Sequence, residues 1–169
     1  MDAGSCAISQ MTNARMLQGA SRPEFYGSLI FGMGIRRRAR ELALQALYQI
    51  DMTGDASAAT LELAWSHFEV SVKARDFARR LVEGVILHRS DIDRLIESSA
   101  VHWKLSRMPK VDLNILRLAT YELLFCPDIP HNVSIDEAIE VSKRFGSADS
   151  ANFINGVLDE VANACGVKN

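Results

Sequence analysis

Four arginines crowd into five positions of this chain, at Arg36, Arg37, Arg38 and Arg40. An apolar repeat of helical period follows them directly and predicts a helix from about Ile35 to Met52. Cations are unfavourable at a helix N-terminus, which carries a partial positive charge. A phosphate bound by the arginines and by the unpaired N–H groups of the first turn would remove this conflict, so the cluster predicts an anion site. The alternative is a solvated basic helix end that Glu41 relieves.

A second basic group lies where two later helices are predicted to meet. Lys143 and Arg144 close the first of these helices. Gly146 ends that helix, and Ser147 can cap the next one. Cations and unpaired N–H groups therefore meet at one junction, which is again the chemistry of an anion site.

Two residues of the last helix modify this second site. Asp149 carries a carboxylate that repels phosphate, and we interpret it as a brake that moderates affinity. Phe153 lies at the edge of the apolar stripe of its helix. Its ring is either an ordinary core residue or a surface on which a nucleic-acid base can stack.

The overall composition narrows the function. The formal net charge of the 169 residues is −2, so an anion site must be a local patch. Three scattered cysteines and four dispersed histidines predict neither disulfides nor a metal site, and they fit a reducing cytoplasm. No apolar run reaches the roughly 18 residues of a membrane span. Phosphate-loop, dinucleotide-binding and serine-nucleophile motifs are absent, so neither an enzymatic activity nor a cofactor is predicted.

Helical periodicity without any alternating strand pattern continues from Gly34 onward and predicts an all-α bundle of about seven helices. Pro109 stands in the first turn of the most apolar helix, Lys110 to Cys126, which should be the central one because it is apolar on nearly every face. Arg117 and Glu122 lie within this helix. Because an unpaired buried ion is very costly, each should meet an opposite charge on a neighbouring helix.

Local signals predict further details of the bundle. Ser134 and Glu137 have the spacing of a capping box and predict the start of the sixth helix. Gly156 within the last helix predicts a close crossing with another helix. The segment from His102 to Met108 is the predicted hinge between the two halves of the bundle.

Residues 1–32 differ from the rest of the chain. They are rich in Ser, Gly and Ala, nearly uncharged, and without a sustained helical or strand period. They lack the compact cationic start and apolar core of a secretory signal. We predict a disordered extension, or upstream sequence from too early a start codon, ahead of a helical domain at residues 33–165.

One face of the first helix has the character of a protein interface. Glu41, Gln45, Tyr48 and Met52 share a ridge roughly opposite part of the apolar stripe. A tyrosine and a methionine beside polar neighbours suit a contact with another protein. Single exposed apolar residues are also normal on any surface, so the ridge alone leaves both interpretations open.

Four segments together resemble the NusB family of transcription antitermination proteins, in order and at family-like spacing over about residues 33–163. They are RRRARELALQALYQID, FARRLVEGVILHRSDID, LRLATYELLF and IPHNVSIDEAIEVSKRFGSADSANFINGVLDEV, of which the last is the most specific. The resemblance implies an all-α fold of two packed three-helix lobes with an additional short helix. It also implies binding of boxA-type single-stranded RNA in ribosomal-operon transcripts together with the ribosomal protein NusE, so that RNA polymerase reads through terminators.

The resemblance also implies roles for individual residues. The phosphate expected at the arginine cluster then belongs to this RNA, and further RNA contacts fall on the junction from Lys143 to Asp149 and on Phe153. Contacts with NusE fall on Tyr48, Met52 and Asp112. The free protein is expected to be a monomer or a weak homodimer.

Two other functions stay open at this point. A NusB-like RNA-binding module of a ribosomal RNA methyltransferase has similar motifs, although 169 residues leave no room for a cofactor-binding α/β domain. A helical adaptor that binds only proteins is the other alternative, and it would show no salt-dependent affinity for RNA.

Overall fold

The computed structural model describes residues 30–66 and 70–166. Its helices, in chain order, are α1 (Ile30–Thr53), α2 (Ala58–Ser66), α3 (Val72–Leu87), α4 (Arg89–Ser99), α5 (Lys110–Phe125), α6 (His131–Phe145) and α7 (Ser150–Ala164). A short 3-10 turn at Leu105–Arg107 lies between α4 and α5. Within the described residues there is no strand, and the predicted all-α fold is confirmed. None of these helices combines the length and apolar character needed to cross a membrane.

The central helix is α5, as predicted. Every residue from Val111 to Leu123 is buried, including the polar ones. The helix packs against α1, α3, α4, α6 and α7. A helix surrounded in this way has no solvent face, which explains why apolar residues occupy nearly its whole circumference.

The helices form two groups around one continuous core. One group is α1, α2 and α3, and the other is α5, α6 and α7. The short helix α4 packs against α5 and α7 and also contacts α3. Because α1 additionally contacts α5 and α6, the groups are joined along their length. This arrangement confirms the two lobes and the additional short helix that the resemblance implies.

Trp65 and Gly84 show how closely the first group is packed. The Trp65 side chain is fully buried, and its indole N–H donates to the Leu42 carbonyl of α1 at 3.1 Å. Gly84 of α3 lies against α5, where a Cβ atom would be 2.0 Å from Cζ of Tyr121. The close helix crossing is therefore at Gly84. The one predicted at Gly156 is wrong, because that glycine is exposed and has open space around it.

The first helix begins at Ile30 rather than at Ile35. The arginine cluster therefore lies beyond the first turn, where the helical hydrogen bonds use the backbone N–H groups. A phosphate site that combines the arginines with unpaired N–H groups is wrong for this reason. Gly34 within the helix costs only about 1 kcal/mol relative to alanine, so it does not end the helix. Residues 1–29 of the predicted extension lie outside the described residues.

Two predicted helix caps are also wrong. Helix α6 begins directly after Pro130, whose φ of −59° suits the residue ahead of a helix. Ser134 is therefore already inside α6, with its N–H bonded to the Pro130 carbonyl at 3.2 Å. Its hydroxyl is buried without a hydrogen-bond partner among the described residues. At the last helix, Ser147 does not cap, because α7 begins only at Ser150.

Candidate nucleic-acid interface

Arg40 points into the core rather than toward solvent. Its side chain is 6% exposed, and its Nε and Nη2 atoms donate to the two carboxylate oxygens of Glu122 at 2.8 and 2.9 Å. The pair joins α1 to α5 and confirms that Glu122 meets a charge on a neighbouring helix. The prediction of Arg40 as an RNA contact is wrong, because protein encloses its guanidinium.

Arg117, the other ion of α5, is also paired as predicted. It donates to both oxygens of Asp93 of α4 at 2.6 and 2.8 Å and to Asp51 of α1 at 2.9 Å. Burial raises the pKa of Asp51, but a hydrogen bond from Arg89 and the charge of Arg117 outweigh it, so this pKa lies below its usual value. The ions of α5 are therefore structural, and they hold α1 and α4 against it.

A buried carboxylate of α6 holds Arg37 at the surface. The Nε and Nη2 atoms of Arg37 donate to Glu137 at 3.0 and 2.8 Å, and Nη1 of Arg40 lies 3.5 Å from the same carboxylate. The Glu137 side chain is 5% exposed, whereas that of Arg37 is 40% exposed. Hydrogen bonding with Glu137 raises the pKa of Arg37. Glu137 therefore positions an arginine, and the predicted capping role is wrong.

Glu41 links the two predicted anion sites. One of its oxygens accepts a hydrogen bond from Arg38 at 2.8 Å, and the other accepts one from Arg144 of α6. Glu41 is buried, whereas both arginines are partly exposed. Glu41 does relieve arginine charge, as the alternative interpretation held. It also brings an arginine from each of two helices onto one surface.

Four cations form a surface that we call the basic face: Arg37, Arg38, Lys143 and Arg144. Lys143 is joined to it through Glu140, which accepts a hydrogen bond from Lys143 at 2.7 Å and lies 4.0 Å from Arg37. The hydrogen bond lowers the pKa of Glu140. Arg36 is exposed but lies toward α3, with its guanidinium 5.7 Å from the centroid of the Phe77 ring.

The carboxylates under the basic face determine what it can bind. A guanidinium has five N–H donors, and a bidentate pair with a carboxylate uses two of them. Glu137 fixes the plane of Arg37 in this way, whereas Arg38 and Arg144 each donate one hydrogen bond to Glu41. An array of fixed guanidinium groups matches the oxygens of phosphate, which arginine recognises in the same bidentate way.

The turn between α6 and α7, which we call the α6–α7 turn, is tightly packed. The N–H of Gly146 donates to the Ser142 carbonyl at 2.8 Å, and a Cβ atom at Gly146 would lie 2.6 Å from the Ser150 side chain. The N–H of Ser147 donates to the Ser150 hydroxyl at 2.8 Å. This close packing explains why residue 146 is a glycine. Ser147 and Asp149 are exposed, and the Asp149 side chain makes no capping hydrogen bond.

Phe153, in the first turn of α7, is half-buried. It packs against the core, and its ring centroid lies 5.3 Å from that of Trp103, with the ring planes tilted by 56°. Phe153 is therefore partly a core residue and partly a surface residue, so each of the two interpretations holds for one side of the ring. No sequence pattern pointed to Trp103, although a tryptophan in a polar segment is itself a signal of a surface contact.

The predicted protein-binding ridge is not a continuous surface. Tyr48 is 5% exposed and Asp112 is 4% exposed, so both belong to the interior and are wrong as exposed contacts. Met52 is 52% exposed. The physical reason is that α1 packs against α2, α3, α5 and α6, which leaves less of it exposed than a two-faced amphipathic pattern indicates.

Asp112 instead contacts the α6–α7 turn from the core side. Burial raises the pKa of Asp112, and hydrogen bonding with Ser150 opposes this rise. Its Oδ1 atom is buried without a hydrogen-bond partner among the described residues. Because Ser150 also binds the N–H of Ser147, Asp112 supports the turn through that serine.

The fold and the site together define an all-α helical bundle with a basic face suited to phosphate. The NusB family model matches residues 37–163, and the chain therefore belongs to the NusB family. The resemblance seen in the four sequence segments is confirmed.

The proteins and solved structures that are similar to this chain include three that are named NusB. The transcription antitermination protein NusB of Myxococcus xanthus (strain DK1622) is 53% identical over 134 residues, which cover 77% of this chain and 96% of the relative. The structure of T. maritima NusB is 44% identical, covers 76% of this chain and 90% of that chain, and has a TM-score of 0.68. A structure of antitermination factors NusB and NusE in complex with dsRNA is 26% identical, covers 78% and 98%, and has a TM-score of 0.70.

Arg40→Ala should lower the free energy of unfolding by about 3–5 kcal/mol, because it leaves Glu122 buried without its main partner. Arg94→Ala is the control, since the Arg94 side chain is 79% exposed and its removal should change the free energy by about 0.5 kcal/mol or less. Urea denaturation measures both values. Equally small effects would contradict the role of this pair in holding α1 to α5.

The raised pKa of Asp112 predicts a pH dependence of stability. The folded state holds this proton more tightly than the unfolded chain, so stability falls as pH rises from the usual aspartate pKa of about 3.9 through the raised value. Asp112→Asn should remove this fall. The unfolding free energy of the wild type minus that of the variant should therefore decrease between about pH 4 and pH 7. A difference that increases with pH would show that the fold stabilises the ionised carboxylate.

Proposed function

We propose that the protein acts in transcription antitermination by binding RNA on its basic face together with NusE. Support comes from its membership of the NusB family and from the related NusB in a complex with NusE and dsRNA. The proposed ligand of this protein is boxA-type single-stranded RNA in ribosomal-operon transcripts. The proposed outcome is that RNA polymerase, in the assembled complex, reads through terminators.

The link from Arg38 through Glu41 to Arg144 is the observation that carries this proposal. It holds cations of two different helices at fixed positions on one surface. An RNA backbone offers successive phosphates, so it engages several such cations at once. Each phosphate that is neutralised releases counterions, and the affinity therefore falls with increasing salt.

The carboxylates of the basic face also limit its affinity. Three of them, Glu41, Glu137 and Glu140, pair with the cations of the face. The incoming phosphates therefore meet a surface whose charge is already partly balanced. We expect modest affinity for RNA by this protein alone, which leaves NusE to increase the stability of the complex.

The α6–α7 turn extends the proposed RNA site. Ser147 is exposed on this turn, and Phe153 offers part of its ring one helical turn beyond Asp149. Because the Asp149 carboxylate is exposed and makes no capping hydrogen bond, it faces an approaching phosphate as a repulsive charge. In this proposal Asp149 therefore moderates the affinity for RNA.

For NusE we propose contacts near the exposed end of α1, where Met52 lies. Tyr48, buried one turn before Met52, then supports this end of α1, whereas Asp112 acts through the α6–α7 turn. The role requires no catalytic group and no cofactor. It places the protein with RNA polymerase in the cytoplasm, as a monomer or weak homodimer before RNA binds.

Titration of a labelled ribosomal leader RNA over a range of salt concentrations tests the proposal. Arg38→Ala and Arg144→Ala should each weaken binding, and each lost phosphate contact should flatten the slope of log affinity against log salt by about 0.7. Arg94→Ala, at an exposed position of α4, should leave the slope unchanged.

The same titration repeated with NusE separates the remaining functions. Salt-dependent RNA binding that NusE strengthens agrees with the proposal. NusE binding without any salt-dependent affinity for RNA would instead identify an adaptor that binds only proteins.

A further inference from the structure

The segment between α4 and α5, residues 100–109, carries features that the basic face does not explain. We call it the α4–α5 connection. Its backbone forms hydrogen-bonded turns, with the N–H of Trp103 donating to the Ala100 carbonyl at 2.8 Å and that of Arg107 to the Lys104 carbonyl at 2.9 Å. Met108 is buried, and Leu105 packs against the core. The connection therefore presents its outward side chains from a fixed backbone.

Trp103 presents a large aromatic surface on this connection. Its residue is 49% exposed, and nearby Val101 is 78% exposed. The ring of Phe153 lies beside the indole, and the 56° tilt means that the two rings are not stacked face to face. An indole combines a large apolar surface with a polar edge, so its open face suits a planar ligand.

Three exposed cations lie in this connection or directly after it, namely Lys104, Arg107 and Lys110. The sequence has no acidic residue from Ser98 to Val111. None of the three forms an ion pair with a carboxylate in the described part of the chain, whereas all four cations of the basic face do. Exposed acids flank this connection, with Glu97 on α4 and Asp149 one turn before Phe153. The patch is therefore basic without internal compensation.

We propose that Trp103 and Phe153 form a platform on which bases of single-stranded RNA stack. Lys104, Arg107 and Lys110 then bind phosphates of the same strand. The strand runs from the basic face over the α6–α7 turn to the α4–α5 connection. This inference rests on the proposed RNA binding and extends it to a surface beyond the basic face.

The charge of the patch favours RNA over a protein partner. Protein interfaces are enriched in tryptophan but depleted in lysine. Sites for single-stranded nucleic acid instead combine aromatic side chains with a cationic groove. The α4–α5 connection has this second composition. Phe153 also links it to the α6–α7 turn, since Asp149 precedes Phe153 by about 6 Å along α7.

Intrinsic fluorescence provides a direct test, because the two tryptophans of the chain differ in exposure. Trp65 is fully buried and Trp103 is half-exposed. Leader RNA that contains boxA is titrated into the full chain. Stacking on Trp103 should quench the emission, and Trp103→Phe should abolish the quenching while it retains part of the RNA affinity.

Affinity measurements give the second readout. Trp103→Ala should weaken binding of the leader RNA by about 5- to 150-fold, as expected for the loss of one stacked base. The salt slope should not change, because no charge is lost. Leu63→Ala on α2 is the matched control, since Leu63 is an exposed apolar residue (62%) outside the proposed site.

The outcomes separate this inference from the proposed function. Unchanged affinity of Trp103→Ala, while Arg38→Ala and Arg144→Ala still weaken RNA binding, would overturn the inference alone. Weaker NusE binding by Trp103→Ala with unchanged RNA affinity would also overturn it, in favour of a protein contact. Wild-type protein without salt-dependent RNA binding, with or without NusE, would overturn both.

Discussion

The bidentate pair of Arg40 and Glu122 is the contact on which the position of α1 depends. Both side chains are almost fully buried, and good geometry and further hydrogen bonds are needed to offset the removal of two ions from water. Glu137 lies 3.5 Å from Arg40 and also holds Arg37. One buried network therefore fixes the rotation of α1 against α5 and α6, and with it the arginines that reach the surface.

Neighbouring arginines consequently have different roles. Arg40 belongs to the core, whereas Arg37 and Arg38 are held at the surface by carboxylates that are themselves buried. At the other end of α1, Asp51 pairs with Arg117 of α5, so the helix is fixed at both ends. A binding surface shared by two helices requires this rigidity, because its cations keep their spacing only if the helices do not slide. The packing of the core therefore determines the positions of the cations on the basic face.

Features that many residues determine together could be predicted from the sequence, whereas features that depend on one distant neighbour could not. The apolar circumference of residues 110–126 predicted the central helix, and the cost of an unpaired buried ion predicted partners for Arg117 and Glu122. The identity of those partners depends on packing between helices far apart in the chain. Arg40 and Tyr48 were misplaced because an amphipathic pattern assumes one buried face, and α1 is covered on more than one. The predicted start of α6 is wrong because the helix begins directly after Pro130 and not at the Ser134 cap.

The central claim is that buried carboxylates position the basic face for RNA, and two matched substitutions test it most directly. Glu41→Gln and Glu140→Gln each remove one negative charge from the basic face, but Glu41 is buried between Arg38 and Arg144, whereas Glu140 is partly exposed beside Lys143. If positioning dominates, Glu41→Gln weakens binding of leader RNA at low salt, whereas Glu140→Gln tightens it a fewfold. Tighter binding by both folded variants would contradict the claim, because these carboxylates would then act only as repulsive charges.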